Sequence, residues 1–188
     1  HLAHHKHDKE FTSKFPSTKE KMLEPTPLRV VDDKGRLLDE VKFILDLIAE
    51  SNLILSSGHL HISEIWPLFE EAKTRGVKRL LVNHPTFVVD ATLADIKQLS
   101  GMGAFVEHSM CMFIESKYKF YEPDYLKQLI EAAGIDKTIL GSDLGQVGNP
   151  TPVEGFRSVI ELCLGIGYTP DQIRKMISGN PARLLGLP

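Results

Sequence analysis

One short motif constrains the fold of this sequence more than any other feature. From Asn52 to Glu64 the chain reads NLILSSGHLHISE, in which a short apolar run is followed by Gly58, His59 and His61. A short apolar run bounded by small residues is typical of a buried parallel strand. The motif therefore predicts a strand that opens into a loop carrying two imidazoles.

The same arrangement recurs three more times along the chain. In each case an apolar run ends at a side chain that can bind a metal or transfer a proton. These runs, residues 79–83, 104–107 and 138–142, lead to His84, His108 and Asp143, and the second run itself ends in Glu107.

Segments with helical periodicity separate these runs, which predicts βα units and a parallel α/β sheet. A doubly wound open sheet fits that pattern as well as a barrel does. Because each candidate residue directly follows a strand, as in barrel active sites, we favour a (β/α)8 TIM-barrel-like fold. Such barrels take about 250 residues, whereas this sequence has 188 and opens with His1. We therefore expect an incomplete barrel over residues 28–188, after a polar lead-in over residues 1–27.

Local signals predict where several elements begin. Residues 28–38 are expected to form a β-hairpin, since two short apolar runs flank a turn that contains Gly35. Asp39 and Ser63 are each expected to cap a helix. A third helix is predicted to start at Asp90.

Composition excludes several classes of protein. The net charge of −3 and the absence of a basic stripe argue against a nucleic-acid partner. No apolar run approaches the roughly 18 residues of a membrane-spanning helix, so we expect no membrane partner and a cytoplasmic location. Cys111 and Cys163 are the only cysteines and lack metal-knuckle spacing, which predicts reduced, mostly buried thiols.

The residues at the strand ends match the needs of a metal-dependent hydrolase. A catalytic zinc site combines neutral imidazoles and carboxylates and leaves one position open for water. The metal lowers the pKa of that water, and a nearby carboxylate takes the proton. Each residue alone has an ordinary structural explanation, but together they predict His59, His84 and Asp143 as metal ligands, with Asp143 also catalytic.

Three further residues are candidates for substrate binding or for supporting the ligands. His61 lies two residues after His59, although Gly58 indicates that the backbone is already turning there. Glu107 and His108 are neighbours on one strand and point to opposite faces, so at most one of them is expected to reach the site. An ion pair is the ordinary structural explanation for Glu107.

Three segments carry a resemblance to a known family: residues 58–85, ILGSDLGQ, and above all SGNPARLLGL at the C-terminal end. Over residues 28–188 the chain resembles the amidohydrolase superfamily of metal-dependent barrel hydrolases. The resemblance implies that His59, His84 and Asp143 follow the fifth, sixth and eighth strands of a (β/α)8 barrel. It also implies one or two divalent metals, zinc first, with manganese or iron as alternatives.

The resemblance fails at one place. The superfamily carries an HxH pair on its first strand, and strands one to four are missing here or lie before His1. His5 and His7 offer an HxH spacing, but no apolar strand precedes them.

Three hypotheses follow. The first is hydrolysis of an amide, ester or related bond of a small molecule; the second is decarboxylation on the same metal frame; the third is a catalytically silent barrel fragment used for binding or assembly. An open barrel also predicts a homo-oligomer or association with a missing N-terminal part.

Overall fold

A parallel four-stranded sheet forms the centre of the molecule. The computed structural model describes residues 28–187, and the predicted lead-in with His5 and His7 lies outside these residues. All four strands pair in parallel, in the sequential order β1-β2-β3-β4. They are β1 (Ile54–Ser56), β2 (Arg79–Asn83), β3 (Phe105–Ser109) and β4 (Thr138–Gly141).

Helices alternate with these strands, as the periodicity predicts. Between β3 and the next α-helix lies a short 3₁₀ turn, Met110–Met112. A five-residue π-helical turn, Lys175–Gly179, joins the last two helices. The α-helices are α1 (Asp39–Glu50), α2 (Ile62–Thr74), α3 (Leu93–Gly101), α4 (Pro123–Ala133), α5 (Pro152–Gly165), α6 (Pro170–Arg174) and α7 (Asn180–Leu185).

The two faces of the sheet differ, because successive side chains of a strand point to opposite sides. One face packs against helices α1 to α6 in a single core and is called the helix face. The side chains on this face include Leu80, Val82, Val106 and Leu140. The other face is called the inner face. It carries a small separate hydrophobic cluster around Phe105, to which Leu184 of α7 contributes. The sheet is therefore covered by helices mainly on one side.

This arrangement bears on the two architectures that the sequence left open. A doubly wound sheet reverses its strand order at a switch point, and the four described strands show no reversal. Sequential parallel strands with their helices on one face are the arrangement of a segment of an α/β barrel. The fold is thus α/β, with a parallel sheet compatible with part of a barrel.

Several predicted element starts are wrong by a few residues. The N-cap of α2 is His61, whose side chain accepts a hydrogen bond from the Ser63 N–H, so Ser63 is not the cap. Helix α3 begins at Leu93 after a capping box at Thr92, because Asp90 has φ +59° and cannot begin a right-handed helix. The predicted cap Asp39 is instead the first residue of α1.

The predicted N-terminal hairpin is present only in part. A single antiparallel bridge joins Val31 to Leu37, and between them Gly35 takes φ +76° in the turn. The turn is therefore confirmed, whereas regular strands do not form on either side of it.

The C-terminal segment fastens the sheet at the N-terminal ends of its strands. The Asn180 amide donates to the carbonyl oxygens of Ile135 and Thr138 at 2.7 and 2.6 Å. Arg79 at the start of β2 donates to the Leu185 carbonyl at 2.9 Å. In the described part of the chain, no helix has both the length and the apolar character needed to cross a membrane.

Candidate functional site

The predicted metal ligands lie in loops at the carboxyl edge of the sheet. His59 follows β1, His84 directly follows β2, and Asp143 follows β4. His84 and Asp143 have φ values of +25° and +49°, which non-glycine residues rarely adopt. Such conformations cost on the order of 1–3 kcal/mol each and cluster at functional sites. Two of the three candidates are therefore held in strained backbone just beyond a strand.

The structure brings the two histidine candidates into contact. The rings of His59 and His84 are stacked, with 4.7 Å between centroids and 18° between planes. His84 is buried, and its Nδ1 has no hydrogen-bond partner among residues 28–187. A buried imidazole nitrogen without a partner is costly unless something binds it.

A row of hydrogen-bonded polar side chains crosses the inner face of the sheet next to these histidines. The Ser56 hydroxyl bonds to the side-chain carbonyl of Asn83, and the Asn83 amide donates to Glu107 Oε2 at 3.0 Å. Residues Asn83 and Glu107 are direct partners in the β2–β3 register. Because three neighbouring strands contribute, the position of the Glu107 carboxyl is set by the sheet.

The Asp143 charge acts on two neighbouring groups at this edge, Glu107 and Cys111. Burial raises the pKa of Glu107, and the Asp143 charge adds to the rise, while the Asn83 hydrogen bond and nearby His84 oppose it. The Cys111 thiol lies 3.8 Å from Asp143 Oδ2. Burial together with Asp143 raises the pKa of Cys111 to about 12, so this thiol stays protonated at neutral pH.

The remaining candidates are placed away from this group. His61 Nδ1 lies 2.8 Å from the Ser63 hydroxyl, and its Nε2 lies 3.7 Å from Asp90 Oδ2. Its imidazole is thus engaged in capping α2. His108 is almost fully buried on the opposite face to Glu107, where desolvation lowers its pKa to about 4. Of the neighbours Glu107 and His108, therefore, Glu107 is the one at the site.

The side chains at this edge include atoms of the types that bind a divalent cation, but too few of them are grouped together within residues 28–187. Imidazole nitrogens and carboxylate oxygens suit zinc, manganese or iron, and the unpartnered Nδ1 of His84 is available. Among the described residues, however, no three His, Cys, Asp or Glu side chains form a group that could hold a metal ion. The described site therefore offers an incomplete set of ligands.

Gly141 makes room for the Glu107 side chain, which gives a test of this geometry. A Cβ at position 141 would lie 2.2 Å from Glu107 Oε1 and 3.1 Å from Cδ. We expect Gly141→Ala to displace the carboxyl group from Asn83 and to lower the free energy of unfolding by about 1–3 kcal/mol, measured by urea denaturation.

A double-mutant cycle assigns this loss to Glu107. In a Glu107→Ala background the same Gly141→Ala change should be nearly neutral, because the clashing atoms are gone. Gly101→Ala is the matched control, since nothing lies within 4 Å of a Cβ there. Equal losses in both backgrounds would contradict the proposed clash.

Comparison with protein families places the chain among relatives of unassigned function. Residues 1–107 match DUF6282, described as a family of unknown function. The match covers more than half of the 188 residues. The chain belongs to this family. The DUF6282 match includes His59, His84 and Glu107 but ends before Asp143, and no curated protein matches the sequence.

Sequence reasoning missed Asn83 and Cys111 as neighbours of the site. Asn83 could have been found, because a polar residue at the end of an apolar strand, two positions after inward-facing Leu81, lies on the same face. Cys111 offered no local signal. It reaches Asp143 because its backbone N–H bonds to the Ser142 carbonyl at 3.1 Å.

Proposed function

We propose that this chain forms the C-terminal half of a metal-dependent hydrolase of the amidohydrolase type. In this proposal, β1 to β4 are strands five to eight of a (β/α)8 barrel. The observation that carries it is the contact between His59 and His84 at the carboxyl edge of the sheet. The sequential parallel strands with helices on one face support the barrel part of the proposal.

Within this proposal each residue has a distinct role. His59 and His84 would hold a divalent metal, zinc first, with manganese or iron as alternatives. The metal would supply a Lewis acid that lowers the pKa of water. Asp143, exposed in its loop, would offer a carboxylate to the metal and take the proton of the attacking water.

Glu107 has a supporting role in the same proposal. Its carboxyl group is fixed by Asn83 and by the space above Gly141. From there its carboxyl group lies close enough to His84 and Asp143 to interact with both electrostatically, and it accepts a hydrogen bond from Asn83.

The remaining ligands and strands would come from elsewhere. Strands β1 and β4 are the edges of the described sheet, and α1 exposes the apolar side chains of Phe43, Ile44 and Leu47. Sheet edges without a partner strand among residues 28–187, and exposed apolar surface, favour association. A preceding part of the protein or a second copy would close the barrel.

Zinc titration of the metal-stripped protein tests this proposal. Loss of even an outer-shell partner typically lowers metal affinity by about 10–100-fold, so His84→Ala is expected to weaken zinc binding at least that much. The N-terminal histidines remain in both proteins, so the difference reports on His84 alone. Unchanged zinc affinity in His84→Ala would contradict the assignment.

Measuring turnover separates a catalytic role of Asp143 from a role in metal binding alone. Once a hydrolysable amide or ester is found, Asp143→Asn should abolish turnover at saturating zinc, because its amide oxygen can still bind the metal whereas the side chain no longer takes the proton. Asp124→Asn, an exposed carboxylate in the first turn of α4, is the matched control. Incorporation of solvent oxygen into product, without release of carbon dioxide, distinguishes hydrolysis from decarboxylation.

A further inference from the structure

A row of aromatic rings continues outward from the histidine pair. The His84 ring meets Phe87 edge-on, with 6.0 Å between centroids. The Phe87 and Phe120 rings are nearly parallel, with 6.3 Å between centroids and 8° between planes. Tyr118 then lies against Phe120, with 6.5 Å between centroids. These three residues, Phe87, Phe120 and Tyr118, are called the aromatic wall below.

The outer part of this wall is open to solvent. Phe120 is 57% exposed and Tyr118 39% exposed. Isolated exposed aromatic residues are ordinary, but a contiguous apolar patch beside a polar site is typical of a ligand-binding surface. The wall begins at a proposed metal ligand, so a molecule bound there would reach the site.

The loops that carry the wall are fastened to the loops that carry the candidate ligands. The Tyr121 hydroxyl donates to the Thr86 carbonyl at 3.2 Å, which ties the loop after β3 to the loop after β2. The Lys117 backbone N–H donates to Asn149 Oδ1 at 2.9 Å, and its ammonium group bonds to the Val147 carbonyl. These bonds fix the wall relative to both His84 and Asp143.

We propose that this site takes a substrate with a planar aromatic ring, which stacks on the exposed ring of Phe120, one ring outward from Phe87, the ring that contacts His84. The inference rests on the proposed function and names its substrate class. Aromatic rings prefer offset-stacked or edge-to-face partners, and such pairs add attraction beyond the area that they bury. A preorganised wall offers that attraction without the cost of ordering a loop.

Binding of two matched amides to the full chain tests the proposal. Benzamide carries a planar ring, whereas cyclohexanecarboxamide has the same polar group on a saturated ring. Their dissociation constants are measured by NMR titration. We expect benzamide to bind about 2- to 10-fold more tightly, as aromatic pairing predicts.

Two leucine variants locate the effect. Phe120→Leu keeps an apolar side chain but removes the ring, so it should abolish the preference for benzamide. Phe43→Leu is the matched control, because Phe43 is 62% exposed on α1, away from the site. Circular dichroism is the check that both variants are folded.

The outcomes distinguish this inference from the proposed function. Equal binding of the two amides, or equal behaviour of the two leucine variants, overturns the substrate class even if zinc binding depends on His84. A preference for benzamide that is lost in Phe120→Leu supports the aromatic substrate class. The same preference in the His84→Ala variant also supports it, because that variant tests only the metal assignment.

Discussion

Replacing Asn180 with Ala is expected to lower the free energy of unfolding by about 2–4 kcal/mol, because an unsatisfied buried polar group costs about 1–3 kcal/mol. Asn180 is fully buried, and its amide donates to two carbonyl groups, those of Ile135 and Thr138. Alanine leaves both carbonyl oxygens without this donor and opens a small cavity. Urea denaturation measures the change through the midpoint, provided that the slope stays constant.

Two further variants sharpen this prediction. Asn180→Asp has nearly the same shape but presents oxygen to both carbonyls, so it should be at least as destabilising as alanine. Gln128→Ala removes a side-chain amide from the exposed face of α4 and should change stability by less than about 0.5 kcal/mol. An Asn180→Ala protein as stable as Gln128→Ala would show that the two hydrogen bonds contribute nothing.

Stability is expected to fall by about 3 kcal/mol between pH 6.5 and pH 4 because of His108 alone. Burial lowers the pKa of His108 from 6.5 to about 4, and each unit corresponds to about 1.4 kcal/mol. Above pH 6.5 the imidazole is neutral in both states and has no effect. Between the two pKa values the unfolded chain binds the proton first, so acid favours unfolding.

The variant His108→Leu isolates this contribution. Leucine fills the buried position on β3 without a titratable group, so its stability should fall less steeply on acidification than that of the unaltered protein. The difference between the two proteins should widen by about 3 kcal/mol from pH 7 to pH 4. Parallel stability curves would show that His108 has the same pKa in the folded and unfolded states, which would contradict its burial as a neutral imidazole.

Much of the fold follows from local pattern. The four strands were predicted from short apolar runs, and the helices between them from their periodicity, since both signals depend only on neighbouring residues. The errors lie in the N-terminal hairpin and at helix starts, as at His61, where an imidazole takes the capping role predicted for Ser63. A cap depends on the path of the incoming loop, and the sequence does not specify that path.

The sequence predicted which residues belong to the candidate site but not how they are arranged in space. The sequence indicated His59, His84 and Asp143 as residues that follow strands, and the structure places all three in loops at one edge of the sheet. The contact of the two imidazoles and the aromatic wall join residues from different loops. Their proximity depends on strand register and loop packing, which no local pattern encodes.

By itself, the sequence determined the alternation of strands and helices, the order of the candidate residues, and the free, buried state of Cys111 and Cys163. Tertiary structure alone decided that Glu107 faces the site while His108 enters the core, and that Asn180 ties the C-terminal segment to β4. Periodicity is a property of consecutive residues, whereas the direction of a face and the partner of a buried amide exist only after distant segments pack together.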